Sequence, residues 1–509
     1  MRDTTRHSFA FRRPLSLGAL AAALVAALCV CFCAVPEAHA VPSFARKYKT
    51  SCVTCHTVFP KLNPFGEAFR RNGFRFPSKD GSVDSDNVQA ETLPLGQDEY
   101  KKLFPDSVWP DSITQSVPLS VLVMGGTAIN LPNSTAKDEA QNTFAWNDFI
   151  GEAAIFAAGS FTDTLTYFFE LSIEEGGISP EHAYLVWSDI VGPRHAFNLV
   201  FGQFMPTLTS FGGHSSYVFD HPLLPATSLG MLYNDSAPED PLAMAFGHPV
   251  GIELNGVVAH YVDYSLGWMA SGVAEDMDFT TPNSQDAYAH IGFKLCGMTL
   301  DGEGRCGAQI ADPKKPWSET SVTLDVFGYH GLSRLDANTD LAGPNPKDDK
   351  FNVVGGDVNI QLGSLGLISG VEYEHHSNPY AGDPGDPGDP TAVPPIPATP
   401  PTDVTDSADG IMQFNELSYV VFPWLVPAVR TEYTRINTNQ GGHPSLLRIM
   451  PTVAMLINPN LKVNVEGDIE HTQGASTPSG DWGGAGGMIP PGQNKTEAEQ
   501  ILLNAAWAF

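Results

Sequence analysis

From about residue 115 to the end, the chain alternates polar and apolar positions in short segments, with no long stretch of helical period. In NLKVNVEGDIEH (460–471), Leu461, Val463, Val465, Gly467 and Ile469 share one face, and Lys462, Asn464, Glu466, Asp468 and Glu470 share the other. NVVGGDVNIQL sets Val354, Val358, Ile360 and Leu362 against Asp357, Asn359 and Gln361, and SGVEYEHH sets Val371 and Tyr373 against Glu372, Glu374 and His376. Period two with one apolar face predicts strands. Sixteen such segments are predicted, near 117–130, 142–158, 161–174, 181–190, 195–205, 248–260, 262–273, 285–297, 318–331, 350–361, 364–376, 411–421, 424–437, 444–457, 459–471 and 496–509.

A soluble sandwich also alternates. Two features favour a membrane barrel. Strands of roughly 10–14 residues are long enough to cross an apolar band at a tilt. Links also alternate in length: GSFTDT, AHYVDY, LGSLG, FPW and INPN are tight, whereas 206–247, 332–349, 377–410 and 472–495 are long. Short turns on one side and long loops on the other are the asymmetry of outer-membrane barrels. The segment 298–317 is the exception, long on the short side, and it holds Cys306. The chain ends ILLNAAWAF, with Ile501, Leu503, Ala505, Trp507 and Phe509 on one face, like the C-terminal strand signal of bacterial outer-membrane proteins. The fold class expected is all-β: a 16-stranded antiparallel transmembrane β-barrel over 116–509, porin-like, preceded by a small helical or irregular segment. Its predicted lumen face is acidic, since Asp357, Glu372, Glu374, Glu432, Glu466, Asp468 and Glu470 outnumber Arg430 and Lys462.

The N-terminus sets the expected address. Arg2, Arg6, Arg12 and Arg13 precede an apolar run ending in EAHA, the pattern of a secretory signal cleaved after Ala40. The run is long enough to span a membrane if retained; the small-x-small ending favours removal. The chain has seven cysteines. Cys29, Cys31 and Cys33 would leave with the signal. Cys296 and Cys306 are an even pair in an exported protein, which reads as a disulfide.

Cys52, Cys55 and His56 form Cys-x-x-Cys-His, the pattern for covalent attachment of a c-type haem: two thiols for two vinyl groups, and an imidazole for the iron. A Cys52–Cys55 disulfide or half of a zinc site are the alternatives, but zinc needs four ligands and no second Cys/His pair is near. The expected haem segment is 41–79, joined to the barrel by a linker over 80–115. It is too short to stand alone. It carries eight Lys/Arg against Glu67, a charge of +7. With +2 in residues 1–40 and −29 overall, residues 80–509 carry −38. Docking of the basic segment on the acidic lumen is therefore expected, with Phe59, Leu62, Phe65, Phe69 and Phe74 as apolar cover. The second axial ligand is open among the Val41 amine, Lys47, Lys49, Lys61, a barrel Met or His, or nothing. The strong negative charge gives no footing for nucleic acid.

VPSFARKYKTSCVTCHTVFPKLNPFGEAFRRNGF followed by a porin-like body resembles the fused monohaem c-type cytochrome–porin family, best known as outer-membrane iron oxidases of iron-oxidising bacteria. The resemblance rests on Phe44-Ala45-Arg46, Cys52, Cys55, His56, Pro60, Leu62-Asn63, Phe65-Gly66, Phe69 and Asn72-Gly73; Phe74 stands where an aromatic, often Tyr, is usual. It covers the barrel in architecture only. It implies one haem c, extracellular Fe(II) or another donor, a periplasmic c-type cytochrome or similar carrier, and a place among outer-membrane lipids. His56 would be both axial ligand and the residue of the single-electron oxidoreductase step. GDPGDPGDP (Asp383, Asp386, Asp389) and EYEHH (Glu372, Glu374, His375, His376) are candidate iron-attracting groups; the bland readings, a Pro/Gly-rich loop and a polar strand end, weigh more. A diffusion porin with a haem plug or sensor, and a haem enzyme of peroxidase type with an open sixth site, are the competing classes.

Overall fold

A computed structural model describes residues 43–48, 50–76, 92–94, 102–103, 105, 112–114, 118–130, 144–162, 164–174, 177–210, 218, 250–270, 285–306, 315, 317–335, 347–377, 407–438, 445–473 and 495–508. The expected signal 1–40, Val41, Lys49 and the aspartates Asp383, Asp386 and Asp389 lie outside these residues.

The N-terminal segment is built from helix α1 (Ser43–Lys47), a 3₁₀ turn (Cys52–Thr54), the short strands β1 (His56–Val58) and β2 (Lys61–Leu62), and helix α2 (Pro64–Arg71). Between it and the barrel, β3 (Thr92–Pro94) and β4 (Ser112–Thr114) pair within the expected linker. The barrel begins with β5 (Leu119–Asn130), β6 (Phe144–Ser160), β7 (Leu165–Glu174), β8 (Gly177–Trp187), β9 (Asn198–Gln203), β10 (Val250–Val258), β11 (Val262–Ala270) and β12 (Gln285–Met298). After a two-residue strand, β13 (Arg305–Cys306), it continues with β14 (Glu319–Leu335), β15 (Lys347–Gly363), β16 (Leu365–His376), β17 (Ala408–Tyr419), β18 (Leu425–Thr438), β19 (Ser445–Asn458), β20 (Leu461–Gln473) and β21 (Lys495–Ala508). Neighbours pair antiparallel, and β21 closes on β5 from Gln500↔Asn130 to Ala508↔Leu122. Without β13, which caps β12, these are sixteen wall strands at the predicted places.

Burial is inverted relative to a soluble core. On β20, Lys462, Asn464, Glu466 and Asp468 are buried, whereas Val465 and Ile469 are exposed. Arg430 and Glu466 are both 0 % exposed, while Trp268, Val326, Val371 and Trp507 face outward. A closed sheet that is apolar outside and pairs its backbone from strand to strand is one of the two architectures that can cross lipid. All nine residues of the predicted lumen set face inward. The wall is acid-rich but laced with cations. Arg430 reaches Glu416 at 3.2 Å, and Arg448 reaches Asp468 at 2.7 Å and Glu470 at 3.3 Å.

Two features depart from the alternation. The stretch after β9, expected wholly as an outer loop, turns into the lumen: Thr207 N donates to Glu253 at 3.1 Å, Ser210 Oγ donates to Asp357, and Val218 N donates to Glu416 at 3.3 Å. Its hydrogen-bonding partners are lumen carboxylates, which period-two reading of the strands does not assign to any loop.

The long link on the short-turn side is pinned by hydrogen bonds. Asp301 Oδ1 accepts from Thr299 Oγ1 at 2.7 Å and Glu303 N at 3.1 Å. Cys296 and Cys306 are free thiols, side by side where β12 pairs β13: Cys296 Sγ lies 3.3 Å from the Cys306 carbonyl oxygen, and its thiol holds the Cys306 pKa up. A disulfide between these two is the expectation for an oxidising compartment. Mass spectrometry of the exported protein is expected to show Cys296 and Cys306 in one peptide pair before reduction and two free thiols after it. Alkylation of both without reduction would exclude the bond.

Candidate functional site

The short segment that precedes the barrel is folded by local rules. Asn63 caps α2, with its side chain accepting from Gly66 N at 2.9 Å, and Pro64 occupies the first helical turn where no amide partner is needed. The same Asn63 donates Nδ2 to Thr54 O at 2.9 Å, and its backbone N–H donates to Cys55 O at 2.8 Å. The cap therefore ties α2 to the cysteine turn. Gly66 is required there, because a Cβ would collide with the Cys55 carbonyl. α2 ends through Gly73 at φ 63° and Phe74 at φ 62°. That backbone is easy for Gly and costs a side chain about 1–2 kcal/mol; the Phe74 ring offsets it by stacking between Phe44 (5.2 Å) and Phe168 of β7 (5.4 Å).

His56 Nδ1 lies 2.8 Å from Pro60 O. As donor to that carbonyl, Nδ1 keeps the proton and leaves Nε2 as a lone-pair donor, the orientation that metal-binding imidazoles adopt. Burial pushes the His56 pKa down, so the ring is neutral near pH 7. Burial pushes both cysteine thiols up, Cys55 to about 12 with Cys52 adding to the shift. Neither is a thiolate at neutral pH, unlike the low-pKa dithiols of redox Cys-x-x-Cys sites.

These three residues line a cavity of about 610 Å³ between the segment and the barrel wall. Its segment side carries Phe44, Tyr48, Phe59, Leu62, Phe69, Phe74 and Phe76; its barrel side carries Met124, Phe156, Phe168, Glu170, His182, Tyr184 and Met205. Of the predicted cover, Phe65 is the exception: it packs on Phe76 at 5.2 Å and does not border the cavity. Phe44, Tyr48 and Phe76 were the aromatics that pattern reading missed, although all three sit in the same basic, Phe-rich run.

The donor set fits a covalent haem: two thiols two residues apart, an adjacent neutral imidazole with its second nitrogen fixed, and a largely apolar cavity of cofactor size. Of the residues considered for a second axial position, Met124, Met205 and His182 border the cavity. Lys61 is engaged elsewhere, with Nζ 3.1 Å from Glu416 Oε1 and 3.1 Å from Ser418 Oγ, and Lys47 Nζ lies 3.2 Å from Ser160 Oγ. His182 Nδ1 is 2.8 Å from Glu170 Oε2.

The segment lies in the lumen at the short-turn end. Ser43 N donates to Ser120 Oγ, Arg46 donates to Leu119 O, Arg71 Nε pairs with Asp263 at 3.1 Å and Arg75 with Asp189 at 3.1 Å. Asn72 Nδ2 donates to Asp301 O at 2.9 Å, so the pinned turn also grips the segment. Beneath, Val58 packs in one cluster with Val218, Trp317, Val420, Val426 and Met450. On the cavity's barrel side, Glu253 accepts from Tyr288 Oη, and the rings Tyr288, Tyr329, Phe351 and His376 stack in a row at 6.1, 5.8 and 5.1 Å. The row crosses four neighbouring strands, β12, β14, β15 and β16, near the ends where the long loops arise. His376 and Glu374 of the EYEHH run are buried in the wall, and His375 pairs with Asp409 at 2.8 Å on the other face. That run is a strand end, as the bland reading held.

Fold and site together define an outer-membrane-type β-barrel whose lumen holds a folded Cys-x-x-Cys-His segment. No family model matches the chain, and no curated protein matches it. Solved structures with a similar barrel include OmpT, an outer-membrane protein of Vibrio cholerae (13 % identity, TM-score 0.43, covering 77 % of this chain and 97 % of that one). The anion-selective porin from Comamonas acidovorans aligns at 10 % identity, TM-score 0.45, over 77 % and 98 % of the two chains. The outer-membrane channel DcaP of Acinetobacter baumannii aligns at 9 % identity, TM-score 0.43, over 77 % and 97 %. The barrel assignment itself rests on the strand pairings described above.

Proposed function

We propose that this chain is an outer-membrane electron-transfer protein with one covalent haem c. It takes single electrons from an extracellular donor, Fe(II) foremost, and passes them to a periplasmic c-type cytochrome or similar carrier. The observation that carries this reading is the position of Cys52, Cys55 and His56 on a largely apolar cavity shared with the barrel wall. A haem bound there supplies an iron that cycles between Fe(III) and Fe(II). Cys52 and Cys55 would each add S–H across a vinyl group, with no leaving group, and His56 would hold the iron through Nε2. Phe69, Phe74 and Phe168 would exclude water. The stacked row from Tyr288 to His376 supplies packed aromatic material on the lumen wall near the loop side. The family resemblance names Fe(II) as the donor.

A diffusion porin with a haem plug is the alternative that the barrel architecture allows. The cover over lumen-wall residues Arg430, Glu466 and Asn464, each 0 % exposed, supports the electron-transfer reading. The deciding experiment is anaerobic addition of Fe(II) to the oxidised, purified protein while the Soret and alpha bands are followed. Reduction by Fe(II), with slow swelling of protein-loaded liposomes in small solutes, is expected. Reduction by dithionite alone, with fast solute entry, would sink the reading in favour of the porin.

A further inference from the structure

Register places three aspartates and a glycine in one row of the lumen wall: Asp263 on β11, Gly292 on β12, Asp325 on β14 and Asp357 on β15. Gly292 stands between the first two. A Cβ at that position would collide with Oδ1 of Asp263 and with Oδ1 of Asp325. The two oxygens therefore converge over the one residue of the row that has no side chain. His290 lies on the same face of β12 and brings Nε2 to 2.6 Å from Asp325 Oδ1. One donor atom from each of Asp263, His290 and Asp325 lies within 4.8 Å of the others.

Burial makes this cluster unusual. The His290 and Asp325 side chains are both 0 % exposed, and that of Asp263 is 9 % exposed. Asp263 Oδ1, His290 Nδ1 and Asp325 Oδ2 find no hydrogen-bond partner among the described residues. The only cation on the cluster from the docked segment is Arg71, which holds Asp263 through the other oxygen, Oδ2, and also faces Glu67 at 3.4 Å. The next carboxylate of the row, Asp357, is held by Ser210, a neutral group. Buried carboxylates in excess over cations are costly unless a further positive charge joins them.

We propose that Asp263, His290 and Asp325 bind one first-row divalent transition-metal ion over Gly292. Two carboxylates and one imidazole suit Fe(II), Mn(II), Co(II) or Zn(II), whereas Ca²⁺ and Mg²⁺ take all-oxygen shells. Binding displaces the proton held between His290 Nε2 and Asp325 Oδ1, which passes to His290 Nδ1 or to water, replaces that hydrogen bond by two ligand bonds and gives Asp263 Oδ1 a partner. Asp263 also borders the 610 Å³ cavity, which provides an entry path. The site is separate from the Cys-x-x-Cys-His motif and does not depend on what that motif carries.

Full-length protein, stripped with EDTA, is titrated with Co(II) as a spectroscopic probe and with Zn(II), and the metal retained after desalting is counted by mass spectrometry. One equivalent per chain is expected, with visible d–d bands from bound Co(II). Asp325→Asn should lower affinity roughly tenfold or more, in line with losses seen even for outer-shell changes. Gly292→Ala should do the same while keeping every ligand, because it only fills the space between the oxygens. Glu470→Gln, elsewhere on the wall, should leave retention unchanged. If either variant fails to assemble by circular dichroism, His290→Gln takes its place. Wild-type protein that retains no stoichiometric ion, or assembled variants that retain it as wild type does, overturns the proposal. Haem content is read separately by its absorbance, so its loss would bear on the function reading alone.

Discussion

Replacing Cys52 and Cys55 together by alanine is expected to remove covalent haem from the chain and abolish Fe(II)-driven reduction, while the barrel still assembles. The first part follows from chemistry: the thiols are the only covalent tether the Cys-x-x-Cys-His pattern offers. The second follows from where the segment gains its hold. Its contacts with the wall run through Lys61, Arg71, Asn72, Phe74 and Arg75, none of which the double substitution touches. Haem stain on a denaturing gel should vanish, and the β-sheet signal in detergent should stay. His56→Ala sharpens the test. It leaves both thiols in place, so stain persists, but the fixed Nε2 donor is gone and the absorbance of the reduced form should change. Covalent haem in the double alanine variant would mean that the attachment site lies elsewhere. Loss of the whole protein from the membrane would show that the bound group, rather than the polar latches, organises the segment.

Much of this arrangement is legible in the sequence. Period-two alternation locates sixteen strands because a membrane barrel must alternate on every strand, and the inverted burial of Lys462 and Glu466 against Val465 and Ile469 is the same signal seen in space. The charge split, +7 beside −38, also read through: the basic segment sits on the acidic wall as Lys61–Glu416, Arg71–Asp263 and Arg75–Asp189. What did not read through depends on register. Asp263, Gly292 and Asp325 look like ordinary lumen positions until pairing puts them side by side, and a shift of one residue would send each to the lipid face. The inward turn of residues 204–210 was equally hidden, since its partners Glu253 and Asp357 lie on strands distant in sequence. The choice among axial donors narrowed only with the wall in place, because Met205 follows β9 on that same turn.

Arg71→Met is expected to loosen the segment by about 3–5 kcal/mol, the usual penalty when one partner of a buried pair is removed and the other charge stays. The geometry fits that case. Arg71 and Asp263 side chains are only 11 % and 9 % exposed, their atoms meet at 3.1 Å, and Arg71 also donates to Ser210 O at 3.0 Å. At 1.4 kcal/mol per tenfold, the open fraction rises by roughly a hundredfold to several thousandfold. Limited proteolysis of the intact chain reads that fraction directly when opening is fast relative to cleavage, and cuts between residues 47 and 80 should speed up accordingly. Most of the loss is the stranded Asp263 carboxylate rather than the missing attraction, so Arg71→Met combined with Asp263→Asn should recover a large part of it. Lys47→Ala serves as contrast. Its hydrogen bond to Ser160 lies at the exposed rim, where such contacts contribute about 0–1 kcal/mol. If Arg71→Met resists protease as wild type does, the pair is not what holds the segment, and its grip must come from the apolar seat of Val58 and the ring stack of Phe74.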